Sequence, residues 1–502
     1  MDAFRDGKLE ERKVIGRDEV RELAREFQLD VHVVEKDYVL GWLLAGVAAD
    51  PELRDGWIFK GGTCLKKCYF ETYRFSEDLD FTLRDAAHLN EAFLLDAFGR
   101  IGDWVYEQCG IELPQELRRF EVFNNPQGHP AVQGRLGYRG PHARAGDAPR
   151  IKLDLVAAEV VVLDPVRRPV HHPYSDRPEE GIEVLCYAFE EVFAEKIRAL
   201  AERQRPRDLY DVIHLHRQSE FRHAAQVRST LARKCEFKRI PVPTFQMLSD
   251  RPERQAIEAE WDQMLAHQLP VCPPFAEFWA ELPRMFEWLE EPPKAAPLPS
   301  IGAGVAPPAG GMDASWRMPP MVARWGYPTS LEAIRFAGAN RLLVELDYEA
   351  ENGERSTRTI EPYALRRSNA GDILLYALRA DSGATRAYRV DRIQGARVLR
   401  RTFSPRFAVE LTTGFGSGDI PPVSDRPREL SSTSYAQSRR VTARPAMPHL
   451  YGAPSGPTYV YECVYCHKRF NRRSMDGTLR PHKDKRGWDC PGRTGMYKQT
   501  NF

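Results

Sequence analysis

The 502-residue chain has no apolar run long enough to span a bilayer, so no membrane-spanning helix is expected. It also has no excess of one charge. Lys and Arg number 72 against 71 Asp and Glu, a formal net charge of +1, so bulk charge says nothing about nucleic acid and only local patches can. The opening residues, MDAFRDGKLEERK, are charged from the start and lack the apolar centre of a secretory signal, which points to the cytoplasm. No internal repeat is present. The N-terminal half lacks a His-rich metal cluster, which ranks metal-dependent phosphodiester hydrolysis low. Cysteine is thinly spread: Cys64, Cys68, Cys109, Cys186, Cys235 and Cys272 sit among apolar neighbours and read as buried thiols. Only Cys463, Cys466 and Cys490 crowd together, near the end.

What is present is a soluble globular composition, 42% hydrophobic and 28% charged, and a length that calls for two or three domains. Residues 1–292 read as one mixed α/β body. Apolar residues recur at helical spacing in Arg17–Glu26 and Val33–Val47. Arg150–Ala157 alternates, with Ile151, Leu153 and Leu155 on one face and Lys152 and Asp154 on the other, which predicts a strand. Further helices are expected at Tyr187–Arg203, Pro206–Gln218, Arg251–His267 and Pro274–Glu290. Residues 293–327 are rich in Pro, Ala and Gly and read as a linker rather than a core segment. Residues 328–410 form a compact second unit of a short helix and closely spaced strands, with Asn352-Gly353 as a hairpin turn. A second loose stretch, 411–458, leads to the cysteine-rich tail, 459–502.

The segment Phe59–Phe81, FKGGTCLKKCYFETYRFSEDLDF, carries most of the chemistry. In a strand, Asp78 and Asp80 point to one face while Leu79 and Phe81 pack on the other. Like charges held side by side repel unless a cation lies between them. Hard carboxylate oxygens suit Mg²⁺, which keeps positions open for phosphates. Gly61 and Gly62 allow the backbone to approach a triphosphate closely. A lone D-x-D is usually solvated surface; the Gly-Gly turn upstream and Ser76 just before the pair strengthen the metal reading. This segment resembles the AbiEii/MenT-type nucleotidyltransferase toxins of the polymerase-β-like superfamily. The matching residues are Phe59, Lys60, Gly61, Gly62, Thr63 and Leu65, then Arg74, Ser76, Asp78 and Asp80, with Glu35-Lys36-Asp37-Tyr38 upstream.

The resemblance implies a third acid on a neighbouring strand, for which Asp154 is the candidate; a surface pair of Asp154 with Lys152 is the rival. Phe193–Val212 resembles the family's second signature. It implies that Lys196 reaches a nucleotide phosphate, that Asp211 orients Lys196 or the acceptor, and that Asp208 pairs with an arginine. Lys67 and Arg74 are expected to hold phosphate or acceptor backbone, alongside Gly61, Gly62, Thr63 and Ser76. Ordinary surface helix pairs remain the alternative. The implied reaction is transfer of a nucleoside monophosphate from an NTP with Mg²⁺ or Mn²⁺, to RNA, with the tRNA 3′ end favoured.

Residues Leu342–Phe403 resemble a WYL domain, a small Sm/SH3-like β-barrel, through Tyr348, Arg358, Glu361-Pro362, Leu365 and Tyr388–Ile393; the Trp-Tyr-Leu string itself is absent. The resemblance makes Arg389 and Arg392 candidates for a nucleotide or nucleic-acid ligand, against a structural pair of Asp391 with Arg392. In the tail, Cys463-x2-Cys466, His482 and Cys490 fit tetrahedral structural zinc, with His467 as rival to His482. Ten basic residues against four acids from Tyr459 to Phe502 suggest nucleic-acid binding there; a protein-docking zinc ribbon is the alternative. The fold class expected is therefore α/β (α+β): a polymerase-β-like transferase domain with a helical part, a small β-barrel and a zinc-finger-like tail. The expected role is a toxin or phage-defence effector with an antitoxin or regulatory partner. A nucleotide- or nucleic-acid-binding regulator with an inactive transferase fold is the competing class.

Overall fold

The computed structural model describes residues 15–125, 128–142, 148–218, 223–250, 253–290, 298–304, 310–318, 331–411, 458–472, 474–484 and 489–501. The stretch expected to be loose between the second unit and the tail lies outside the described residues, apart from its two ends.

The first body is built on a seven-stranded mixed sheet. Its strands are β1 (Trp57–Lys60), β2 (Asp78–Leu83), β3 (Arg118–Asn124), β4 (Pro130–Gly137), β5 (Arg150–Val156), β6 (Val166–Pro169) and β7 (Glu183–Cys186). They lie in the order β3-β4-β5-β2-β1-β7-β6. The two central pairings set the site: β1 runs antiparallel to β2, opposing Lys60 to Asp80, and β2 runs parallel to β5, opposing Asp80 to Asp154. Helices α1 (Arg17–Phe27) and α2 (Val31–Ala49) precede the sheet. Helix α3 (Gly61–Cys64) follows β1 directly and runs on into a π turn, Leu65–Tyr69; α4 (Glu91–Cys109) follows β2. Helix α2 is apolar all round its middle, so it is buried on every side from Tyr38 to Val47. The helical half comprises α5 (Phe189–Arg203), α6 (Pro206–Arg217), α7 (Ala224–Lys238), α8 (Phe245–Ser249), α9 (Glu253–Leu265) and α10 (Phe275–Glu290). Pro206 opens α6 at its first turn, where the missing N–H costs nothing.

The second unit begins with α11 (Leu331–Ala339). Its five antiparallel strands are β8 (Leu342–Glu349), β9 (Arg355–Arg367), β10 (Ile373–Arg379), β11 (Thr385–Arg389) and β12 (Ile393–Thr402), in the order β11-β10-β9-β8-β12. The β8–β9 hairpin turns at Asn352-Gly353, where Gly353 takes φ +80° as such a turn requires. The tail forms a three-stranded sheet from β13 (Thr458–Cys463), β14 (Arg469–Arg472) and β17 (Gly495–Asn501), beside a small pair, β15 (His482–Lys483) and β16 (Asp489–Cys490).

One expectation is corrected. The described parts of the proline-rich stretch do not behave as a free linker. Ile301 is wholly buried against Tyr363 and Tyr376, Met312 bridges to Ser368, and Asp313 pairs with Arg367. Composition measures the chain's stiffness; it does not see a single Ile or Met that finds an apolar slot on the neighbouring sheet. Among the described residues no helix is long and apolar enough to cross a membrane.

Candidate active site

Asp78 and Asp80 alternate with buried Leu79 and Phe81 along β2, so both carboxylates share a face. Asp154 faces Asp80 across the parallel β2–β5 ladder, so three carboxylates from two adjacent strands share one face, although as a group they are not drawn within 4.8 Å of one another. The cost of that placement shows in Asp78 and Asp80. Burial first, and then the charge of Asp154, pushes the Asp80 carboxyl up to about 6, against the pull of Lys60. Burial likewise raises Asp78, with Lys152 opposing. Asp154 also bonds Lys152 Nζ at 2.6 Å, so the surface pair weighed as its rival coexists with its place beside Asp80.

The Gly-Gly-Thr segment fits against this trio with no room to spare. Gly61 has φ +80°, and a Cβ there would meet Asp80 Oδ2 at 2.1 Å. A Cβ on Gly62 would meet Arg74 Nη2 at 2.7 Å and Ser76 Oγ at 3.1 Å. The Thr63 hydroxyl donates to the Asp78 carbonyl and ties the turn to β2. Lys60, opposite Asp80 on the same face, is engaged by other acids: it pairs with Glu159 and stands 3.5 Å from Glu195.

Behind the carboxylates runs a buried chain of alternating charge. Arg74 grips Asp211 with two bonds, Nε to Oδ1 at 2.7 Å and Nη2 to Oδ2 at 2.8 Å. Lys196 Nζ lies 2.8 Å from Asp211 Oδ2 and 3.6 Å from Asp208. Asp208 is in turn held by Arg203 at 2.7 and 2.8 Å. Two cations on Asp211 hold its carboxyl far below the ordinary range despite complete burial. The expected pairings of Asp211 with Lys196 and of Asp208 with an arginine are thus present in the geometry.

Two residues stand elsewhere than expected. Lys67 does not face the trio: its side chain is 1% exposed and spent on Asp37, at 2.6 Å to Oδ2 and 2.9 Å to the carbonyl. It lies in the π turn, all of whose residues are buried, where an unpaired cation would be intolerable. Arg74, expected at a phosphate or an acceptor, is 3% exposed and committed to Asp211. Arg207 belongs to the second signature but has no role assigned from the sequence. Its Nε is buried without a hydrogen-bond partner, and its charge acts on both Asp78 and Glu77. Its position one residue after the Pro that opens α6, next to Asp208, is the available signal.

In the second unit Arg389 is held by Asp391, at 2.7 Å, and by Asp372, at 3.0 Å, while Arg392 lies 3.5 Å from Glu351. The structural pair weighed there involves Arg389 rather than Arg392. In the tail, ligand atoms of Cys463, Cys466, His482 and Cys490 all lie within 4.8 Å of one another. His482 Nδ1 sits 2.8 Å from the Arg480 carbonyl, which leaves Nε2 facing Cys466 Sγ at 3.3 Å. A Cβ on Gly492 would meet Cys463 Sγ at 2.3 Å, so the thiols are packed by a residue with no side chain. His467 instead faces Glu462, 3.3 Å away, and stands outside the group. The donor set fits zinc. Much of the tail's positive charge is already spent: Arg472 pairs with Glu107, Arg480 with Asp103 at 2.8 Å, and Arg469 and Lys498 with Glu462.

No curated protein matches the chain. Residues 42–289 match the family model for the nucleotidyl transferase AbiEii toxin of type IV toxin–antitoxin systems, and residues 329–398 match the WYL domain. Among solved structures, MenT4, a nucleotidyltransferase toxin from Mycobacterium tuberculosis H37Rv, aligns at 19% identity over 55% of this chain and 90% of its own, with a TM-score of 0.39. JHP933 from Helicobacter pylori aligns at 16% identity over 52% of this chain and 94% of its own, with a TM-score of 0.35. The chain carries a nucleotidyltransferase domain of the AbiEii toxin family, joined to a WYL domain.

Proposed function

We propose that residues 1–292 transfer a nucleoside monophosphate from an NTP to the 3′ end of an RNA, with tRNA the favoured acceptor. On this reading the chain is the toxin of a toxin–antitoxin or phage-defence pair, restrained by a partner antitoxin and modulated by residues 328–410. The observation that carries the reading is the facing of Asp80 and Asp154 across adjacent strands, with Asp78 on the same face. Carboxylates placed side by side on one half-buried face are costly unless something positive is bound there. Mg²⁺ or Mn²⁺ held by Asp78, Asp80 and Asp154 would supply charge neutralisation on the triphosphate. The chain's own residues do the rest. Gly61 and Gly62 admit the triphosphate to the backbone beside Ser76, and Arg207 offers the phosphates a charge. Lys196 presents its ammonium from a fixed place because Asp211 is itself clamped by Arg74. Positioning and electrostatics then do most of the catalysis, as phosphoryl and nucleotidyl transfers require.

Cys463, Cys466, His482 and Cys490 are read as a structural zinc site, and nucleic-acid binding by the tail as confined to those basic residues that no carboxylate engages. A nucleotide-like ligand of the WYL unit would have to displace carboxylates from Arg389. The test is incubation of the protein with total cellular RNA, Mg²⁺ and each of four α-³²P-labelled NTPs, beside Asp80→Asn. Label entering a discrete RNA band, and lost in the variant, is expected. Label entering protein would make the acceptor a protein. No label from the full chain or from residues 1–292 would leave a binding protein with an inactive transferase fold.

A further inference from the structure

The hydrophobic core does not stop at the transferase body. Leu331, Ala333, Ile334, Phe336 and Ala337 of α11 belong to the same buried cluster as β1 and α6. Two polar side chains are nevertheless sunk into this seam. Arg335 and Asn340 are both 0% exposed. Apolar side chains of similar size would pack such a seam without the cost of desolvating a charge and an amide, so their partners carry the meaning.

Arg335 Nη2 lies 2.8 Å from Glu71 Oε2 and its Nη1 2.9 Å from Glu332, while Nε donates to the Leu411 carbonyl at 3.1 Å. Asn340 Oδ1 accepts from the Tyr210 hydroxyl at 2.8 Å, its Nδ2 donates to the Phe336 carbonyl at 3.0 Å, and its own carbonyl accepts from Arg217 at 3.3 Å. Glu71 lies in the turn between the Gly-Gly-Thr segment and Arg74. Tyr210 precedes Asp211 on α6. The rings of Tyr73 and Tyr210, each the residue before one member of the Arg74–Asp211 pair, stand 6.0 Å apart. Each half of that pair is therefore tied, within three residues, to the same short helix and its last turn. The tie comes from beyond the transferase sequence. The shared apolar cluster already joins the two units, with an exposed Arg400–Asp262 pair beside it, so the polar ties are not what holds them together.

We propose that Arg335 and Asn340 are positioning residues for nucleotidyl transfer: the α11 segment fixes Arg74 and Asp211, and through Asp211 the ammonium of Lys196, relative to the carboxylate trio. The inference rests on the reading of that trio as the transfer centre. It makes the WYL unit part of the working enzyme rather than an appendage. Anything that shifts α11 relative to the transferase body acts on Lys196 without touching substrate.

The test uses the full chain. Tyr210→Phe deletes the Tyr210–Asn340 hydrogen bond alone, and Asn340→Leu deletes it together with the bond from Asn340 Nδ2 to the Phe336 carbonyl; Arg335→Lys keeps the charge and Arg335→Met removes it. Each variant is assayed for nucleotide incorporation with NTP varied, for melting temperature, and for amide hydrogen exchange in residues 70–80 and 205–213. In Asn340→Leu and Tyr210→Phe, kcat is expected to fall about ten-fold or more, with KM for the NTP nearly unchanged. The double variant should be no worse than Asn340→Leu alone, Arg335→Lys should retain more activity than Arg335→Met, and exchange in both segments should quicken. Folded variants with wild-type kcat and unchanged exchange would overturn the proposal, as would additive losses in the double variant. If the wild-type chain transfers no nucleotide, it is the reading of the centre that fails. Exchange then decides the tie alone: faster exchange in Asn340→Leu and Arg335→Met sustains it, and unchanged exchange ends it.

Discussion

At the scale of single residues, Asp80 is where the forces oppose one another most sharply. Its ordinary carboxyl value of 3.8 is pushed up to about 6, by burial and then by Asp154. The folded chain thus holds a proton that the unfolded chain has already lost between about pH 4 and pH 6. This group's contribution is fully present below pH 4, is lost as pH rises through 6, and leaves a fixed penalty above. Asp80→Asn is accordingly expected to abolish transfer yet raise the melting temperature of the metal-free protein at pH 7.5, by about 2–4 °C for each ~1 kcal/mol relieved, with the difference vanishing near pH 4. A variant less stable than wild type at pH 7.5 would contradict this. The same proton competes with the cation, so transfer should decline as pH falls through 6 and recover with added Mg²⁺. Gly61→Ala should be inactive at any pH, because its Cβ would occupy the place of Asp80 Oδ2. This much of the site was legible in the sequence: alternation placed Asp78, Asp80 and Asp154 on strands and named their face. What alternation could not show was that Asp80 and Asp154 stand opposite each other, because register between strands far apart in sequence is set by tertiary packing.

At the scale of elements, the chain Arg74–Asp211–Lys196 joins the turn before β2 to α5 and α6. Removing one member of a buried pair strands the others, at a cost of about 3–5 kcal/mol. Asp211→Ala is thus expected to lose stability of that order in urea unfolding, and its inactivity would say little about chemistry. Lys196→Met leaves Asp211 paired with Arg74 and should unfold near the wild-type midpoint while losing transfer; an equally large destabilisation there would make Lys196 a structural cation only. Lys67→Met should show the opposite pattern, reduced stability with an unchanged KM for NTP, since its ammonium serves Asp37. Lys67 and Lys196 look alike in sequence, each a lysine on a helix near a signature motif. The π turn that carries Lys67 is buried at all five of its positions, and a break from α-helical period within five residues leaves no trace in composition or spacing.

At the scale of the whole molecule, the second unit and the tail are stitched to the transferase body by buried or paired charge, and this was the least legible level. The tail's basic residues, read along the sequence, suggest a nucleic-acid surface, but charge on a linear chain carries no statement of what neutralises it. Arg472 and Arg480 reach Glu107 and Asp103 on α4, more than 360 positions away, and Lys468 lies 3.9 Å from Glu180. The tail is held to the first body by the same residues that look free in the sequence. Two readings now differ in a measurable slope. If tail arginines engaged phosphates, deleting residues 458–502 would lower the dependence of RNA affinity on log salt by about 0.7 for each phosphate they neutralise. If they are spent on α4, the deletion should change that slope by less than about 1 while leaving Glu107 buried without its arginine, so the truncated chain should melt earlier than the intact one. Chelation of a tail zinc should act in the same direction, because this small sheet has little core beyond Tyr461, Phe470 and Leu479 to keep its shape. A steep fall in slope with no loss of stability would return the tail to nucleic acid. A shallow change with earlier melting would make it a clasp on α4, the helix that packs on α2 and β3.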